Sequence, residues 1–159
     1  MKDFCIIGSG ISGATIANSL SKKYSLDVYD KARGVGGRSS NKKLNKNESF
    51  DHGVQYISPK SIQFKSFIKS LISKKIVKKW TGKHLFLNTD KQEDKKHTKI
   101  IGKKGNNAIS KYLLKDINCN FNSEVIKIFN KNKVWEIYFS DGSKKLYKSL
   151  ILTLSLIHI

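Results

Sequence analysis

Asp3-Phe-Cys-Ile-Ile-Gly-Ser-Gly-Ile-Ser-Gly-Ala-Thr15 is the stretch whose reading decides the fold. An apolar run, Phe4 to Ile7, has the composition of a buried strand. Gly8-Ser9-Gly10-Ile11-Ser12-Gly13 follows, and then a helical pattern with Ile11, Ala14, Ile16, Ala17 and Leu20 as its apolar set. Strand, glycine turn and helix in that order form a dinucleotide site. The first glycine permits the tight turn, the second lets a pyrophosphate approach the backbone, and the third lets helix and strand pack closely. The first N–H groups of the helix then face the phosphates, favoured by the helix dipole.

Working outward, Ser25-Leu-Asp-Val-Tyr-Asp30 reads as a second strand. Asp30 ends it about 20 residues after the glycines, where a carboxylate accepts hydrogen bonds from a ribose diol. Lys31-Ala-Arg-Gly-Val-Gly-Gly-Arg-Ser-Ser40 is next. Three glycines in four positions require a loop with special backbone geometry. Of the 31 basic residues only Arg33 and Arg38 are arginine, and both flank these glycines. Planar guanidinium matches phosphate geometry in a way an ammonium does not.

The whole sequence is 159 residues long, enough for one domain with a real core, and carries a formal net charge of +19. Such a charge raises the possibility of a nucleic-acid or anionic-membrane partner. The lysines are spread along the chain without an aromatic–basic stripe, which favours a solvated surface over nucleic-acid binding. Cys5 and Cys119 are far apart and form no CxxC, and Cys5 reads as a small buried hydrophobe. No run approaches the roughly 18 apolar residues of a membrane span. A cytoplasmic protein is the expectation. No Ser/His/acid or metal-ligand constellation stands out, so hydrolytic and metal chemistry are not expected and no metal site is assigned.

GSGISG, then Asp30, then RGVGGRSS resembles the flavin amine-oxidase superfamily, in which a second glycine motif follows the Rossmann acid. Phe50-Asp-His-Gly-Val-Gln-Tyr56 and Gly102-Lys-Lys-Gly-Asn-Asn-Ala-Ile-Ser-Lys111 resemble its renalase-like group. The resemblance implies an α/β fold. Its frame is a Rossmann-type FAD-binding domain of the GR2 type with an inserted, incomplete α+β substrate domain. The FAD domain would be discontinuous, residues 1–58 and 103–153, with part of the substrate domain at 59–102. FAD is the implied cofactor, a small reduced molecule the substrate, and NAD(P)H or oxygen the redox partner. The implied cofactor-binding set is Gly8, Ser9, Gly10, Ile11, Ser12, Gly13, Asp30, Lys31, Arg33, Gly36, Gly37, Arg38, His52, Gly53, Gln55 and Val125. The 50–56 segment would lie near the isoalloxazine, chiefly through backbone contacts. His52 in a strand–turn reads as structural more readily than as catalytic, and no catalytic residue is assigned. Val125 is either the residue whose backbone meets the adenine or an ordinary core valine. An NAD(P)-dependent Rossmann enzyme and a non-catalytic basic binding domain remain as alternatives.

The remaining pattern predicts a helix from Ser61, with Ile62, Phe64, Phe67, Ile68, Leu71 and Ile72 at helical spacing. Strands are expected at Ile76–Trp80, 84–88 and Thr98–Ile101, with a charged loop at 89–97. Trp80 and Phe86 are candidates for a substrate pocket or for core. A helix is expected over Asn106–Leu114, then strands at Asn118–Asn122, Glu124–Phe129 and Val134–Phe139. Asn130–Lys133 forms a hairpin turn between the last two. Leu146–Leu150 reads as a return strand and Ile151–Leu154 as a separate strand rejoining the parallel sheet. The last six residues, Leu154-Ser-Leu-Ile-His-Ile159, can be encoded by CTG-TCT-CTT-ATA-CAC-ATC, which looks like a sequencing adapter. The expectation is that they are an artefact, that the natural chain is read to about Thr153, and that the sequence is an N-terminal fragment.

Overall fold

A computed structural model describes residues 1–46, 48–82 and 98–154. The expected strand at 84–88, the loop at 89–97, the assignment of Phe86 and residues 155–159 of the terminal stretch lie outside the described residues. The first strand, β1 (Lys2–Ile7), leads through the glycine turn into α1 (Ile11–Leu20) and then β2 (Leu26–Tyr29). β1 and β2 pair in parallel, as a βαβ crossover requires. The second glycine loop contains a 3₁₀ turn at Gly37–Ser39 and opens into a short antiparallel pair, β3 (Asn41–Lys43) with β4 (Ser49–Asp51). β4 ends at Asp51, and no regular strand continues through the rest of the 50–56 segment.

Next come α2 (Ile62–Ser73), β5 (Val77–Lys79), β6 (Ile100–Gly102) and α3 (Ala108–Leu113). The Ser61 hydroxyl caps α2 by accepting from the Phe64 N–H at 3.2 Å. Its other end closes in a Schellman pattern, with Lys75 N–H bonded to the Ile72 carbonyl and Ile76 N–H to that of Leu71. The chain finishes with β7 (Cys119–Asn120), β8 (Val125–Lys131), β9 (Val134–Phe139) and β10 (Lys144–Leu152). The β8–β9 hairpin turns on Asn132 and Lys133, both at positive φ, as a two-residue type I′ turn demands.

The main sheet has six strands in the order β7-β2-β1-β10-β9-β8. β7, β2, β1 and β10 are mutually parallel, and β10, β9 and β8 form an antiparallel meander. One expectation is corrected here. The return strand and the strand rejoining the sheet are a single nine-residue strand, β10. Its first half pairs antiparallel with β9 and its second half parallel with β1, from Tyr147 opposite Lys2 to Leu152 opposite Ile7.

Alternation along the central strands feeds two cores. Ile6, Leu26 and Val28 join Ala14 and Ala17 of α1, and Ile109, Leu113 and Leu114 in and after α3. Ile68, Leu71, Val77 and Ile100 belong to that same cluster, so α2, β5 and β6 share the core on the helix-bearing face of the sheet. On the other face, Cys5, Ile7 and Tyr29 pack with Ile137, Phe139 and Tyr147 under the meander. Small residues Gly13, Ala14 and Ala17 form the buried stripe of α1, which lets the helix lie close to the sheet. Cys5 is fully buried, and burial pushes its thiol up to about 12, consistent with an inert packing role. Among the described residues no helix is long and apolar enough to cross a membrane.

Candidate dinucleotide site

The site is built where β1, β2 and β10 end together. Gly8 N–H donates to the Tyr29 carbonyl at 2.8 Å, drawing the chain across the top of β2. Ser9, fully buried, then donates twice to one oxygen of Asp30, through its N–H at 2.7 Å and its hydroxyl at 2.5 Å. The other Asp30 oxygen accepts the Ala32 N–H at 2.9 Å. A carboxylate has about four acceptor positions, and Asp30, half-buried, therefore keeps capacity on the Ala32 side. Thr153, just past β10, ties down the same turn. Its hydroxyl lies 3.0 Å from the Ile7 carbonyl and 3.1 Å from that of Gly8, and its N–H donates to Ile7.

Two glycines of the turn differ in what they require. A methyl group at Gly13 would sit on the Gly8 carbonyl oxygen, so that glycine is demanded by helix–strand packing. Gly10 has an ordinary backbone, φ −66 and ψ −179, and a Cβ there would meet nothing nearer than 3.9 Å. The fold itself does not need a glycine at this position. Gly10 caps α1 without any side-chain acceptor, and the first turn carries no acid. The N–H groups opening the helix are thus left for a ligand's oxygens. Ile11 at this entry is exposed.

The second glycine loop folds onto the first. Gly36 N–H donates to the Ser9 carbonyl at 3.2 Å, Gly10 and Gly36 form a parallel bridge, and a Cβ on Gly37 would lie 3.3 Å from the Gly10 Cα. Gly36 is at φ +133, a conformation that disfavours any side chain. Val35 is buried beneath the loop, while Lys31, Arg33 and Arg38 are exposed. Neither guanidinium has an ion-pair partner among the described residues, and both remain available to an anion.

The 50–56 segment is attached to this loop through backbone. Val54 N–H donates to the Arg38 carbonyl at 2.9 Å, and a Cβ on Gly53 would collide with that oxygen. His52 is exposed, with its Nε2 3.0 Å from the Ser40 hydroxyl. Gln55 is exposed, and its carbonyl is held by Asn106. Val125 opens β8 two residues after Ser123, whose N–H donates to the Asp30 carbonyl at 3.0 Å. It is half-buried and packs against the meander core. The acid, both glycine loops and the 50–56 segment therefore form one connected unit.

Three residues that hold this unit escaped the sequence reading as site residues. Thr153 is one. Asn106, almost fully buried, accepts from Gly102 N–H at 2.8 Å and donates to the Val54 and Gln55 carbonyls at 2.6 and 3.0 Å. Its own N–H donates to Asp51 at 2.9 Å. Asn107, also buried, packs against Gly36, and its amide lies 3.4 Å from the Val35 carbonyl. The available signal was the pair of asparagines following Gly105 at a helix start.

Comparison with known proteins agrees with this geometry. The family described as an NAD(P)-binding Rossmann-like domain matches over residues 6–71, which contain both glycine loops and Asp30. Among solved structures, the tetracycline destructase Tet(51) superposes with a TM-score of 0.64 at 20% identity, covering 99% of this chain and 39% of that one. A putrescine oxidase variant from a redesign of cofactor binding superposes with a TM-score of 0.69 at 12% identity, covering 96% and 58%. The chain thus spans less than two thirds of either neighbour. The fold is a Rossmann-like α/β fold on a mostly parallel sheet, with a two-loop glycine site at the carboxyl ends of its central strands.

Proposed function

We propose that this chain is the cofactor-binding portion of an FAD-dependent oxidoreductase of amine-oxidase type, related to the renalase-like group. The observation that carries the reading is the glycine at position 10. The fold does not require it, yet it lies between an uncapped helix and a second glycine loop, where a pyrophosphate needs bare backbone. Gly8 through Gly13 would seat the pyrophosphate. The free capacity of Asp30 would take a ribose hydroxyl, and Arg33 and Arg38 would neutralise phosphate or support the flavin side. Gly53 and Gln55 would border the ring through backbone, with His52 braced by Ser40 and Val125 near the adenine. Lys31, Ile11, Ser12, Gly36 and Gly37 complete the lining. Bound flavin would supply the redox chemistry, accepting a hydride from a small reduced substrate of amine or dihydropyridine type. Oxygen would take the electrons from the reduced flavin, whereas NAD(P)H, itself a hydride donor, could serve only on the reducing side. The protein's part is binding, orientation and electrostatics.

A second reading, a nicotinamide-dependent Rossmann enzyme, is favoured by the description of the matching family. The second glycine loop bridged to the first supports FAD instead, because a nicotinamide site needs only the first. Purified protein dialysed against FAD and against NAD(P)H separates the two. Retention of yellow flavin absorbance supports the proposal. Saturable NAD(P)H binding with no flavin uptake overturns it.

A further inference from the structure

A second concave site lies on the far side of α3. Lys75, Ile76, Lys103, Lys104, Ala108, Lys111, Tyr112 and Lys115 line a cavity of about 440 Å³. The residues come from three places: the end of α2, the turn between β6 and α3, and the outward face of α3. Ala108, Lys111, Tyr112 and Lys115 are spaced so that they share one helical face. Ile109 and Leu113 point into the core from another face, while Asn106 reaches the 50–56 segment and Asn107 the second glycine loop. The cavity is therefore separate from the dinucleotide site.

Its chemistry is one-sided. Five of the lining residues are lysine and none is acidic. None of the five has an ion-pair partner among the described residues. Asp116 is the neighbouring acid in sequence but does not line the cavity. The Lys74 ammonium bonds the Tyr112 hydroxyl and lies 4.9 Å from its ring centroid, adding a sixth charge at the rim. The carbonyl end of the α2 dipole accounts for Lys74 and Lys75. It does not account for Lys103, Lys104, Lys111 and Lys115. The floor is apolar, formed by Ile76, Ala108 and the Tyr112 ring. Lys75 is held at φ +58, a left-handed conformation that lysine adopts only at a cost.

We infer that this cavity binds a phosphate-bearing small molecule with an aromatic or apolar body, of the nucleoside-phosphate class. Five exposed lysine side chains border one open concavity, and a multiply charged phosphate chain matches that charge. A single carboxylate leaves most of the charge unmatched. The apolar floor with its tyrosine ring takes a planar base, and the volume fits a ligand of mononucleotide size. A nucleic-acid strand requires an extended groove with successive stacking platforms rather than one concavity of about 440 Å³.

The test is calorimetric titration of the full chain with ATP, AMP, adenosine and tripolyphosphate, with one equivalent of FAD present to occupy the first site. Lys103→Gln/Lys104→Gln/Lys111→Gln is the matched variant, and all three positions are exposed. Expected are saturable ATP binding at moderate salt, weaker AMP binding, none for adenosine, and tripolyphosphate weaker than ATP. The variant should lose at least about tenfold in ATP affinity while its FAD uptake and melting temperature stay unchanged. Absence of saturable ATP binding or equal binding by the variant overturns the inference. Tripolyphosphate binding as tightly as ATP, or an RNA oligonucleotide outcompeting ATP, overturns it as well.

Discussion

The Asp30 carboxylate accepts both the N–H and the hydroxyl of Ser9 through a single oxygen, at 2.7 and 2.5 Å. The acid at the end of the second strand and the middle of the glycine turn are thus locked together. The acid thus organises the turn, in addition to the ribose contact proposed for it. Replacing Ser9 with alanine removes one charge-assisted hydrogen bond and keeps the backbone one. We expect Ser9→Ala to lower unfolding stability by about 1.5 kcal/mol. Urea melts of the two proteins measure it, and an unchanged midpoint refutes the role given to the hydroxyl.

The two glycines of the turn should respond oppositely to the same substitution. Gly10→Ala meets no atom within 3.9 Å and keeps an ordinary φ. It should cost about 1 kcal/mol, from the poorer helix cap, while FAD affinity drops at least about tenfold. Gly13→Ala drives a methyl into the Gly8 carbonyl and should prevent native folding. Circular dichroism and flavin retention distinguish the outcomes. A Gly10→Ala protein that binds flavin normally contradicts the proposed pyrophosphate approach.

Asn106 should be the costliest polar residue to truncate. Its side chain satisfies the Gly102 N–H and two carbonyls of the 50–56 segment from a nearly inaccessible position. Asn106→Ala leaves the buried Gly102 N–H and two part-buried carbonyls without this partner, at about 2 kcal/mol or more. Hydrogen exchange should report faster opening at Gly102 and Asn106, whose N–H groups this unit holds.

A buried network on the opposite face predicts pH dependence. Asp27 accepts from Lys2 at 2.6 Å, Asn118 at 2.5 Å and Tyr147 at 2.8 Å, and Tyr147 also bonds Tyr29. Burial alone raises the Asp27 carboxyl, but these donors outweigh it and hold it below the ordinary carboxylate range. A depressed folded-state value gives stability that is complete above the unfolded value, about pH 4. That stability is lost as pH falls through the lower folded value. Asp27→Asn should therefore be less stable by about 2 kcal/mol at neutral pH. The two proteins should converge in acid, below the folded value. Parallel melts from neutral pH downward check the convergence, and a constant gap contradicts it.

Lys75 occupies the left-handed position that ends α2, where glycine is usual. Lys75→Gly should stabilise the protein by about 1 kcal/mol through relief of that strain. A thermal melt shows it as a rise in midpoint.

Much of the fold was legible because its signals are local. The apolar run before Gly8, the spacing of Ala14 and Ala17, and the cap at Ser61 each express a preference of a few neighbouring residues. The same holds for the type I′ turn at Asn132–Lys133. The long strand β10 was misread as two because its composition changes from alternating to apolar. That change marks a change of partner, from the half-exposed meander to the buried parallel strand, and not a break in the chain.

The sequence by itself determined the dinucleotide turn, the acid that faces it and the second glycine loop with its two arginines. These lie within 40 residues, and local backbone geometry dictates them. Only the tertiary structure decided what holds them in place. Thr153 reaches Gly8 across 145 residues, Asn106 reaches Val54 across 52, and Asp27 meets Tyr147 across 120. A threonine, an asparagine and a strand aspartate carry no local mark of such roles. Their partners are chosen by the order of strands in the sheet, which brings distant chain ends within a hydrogen bond of each other.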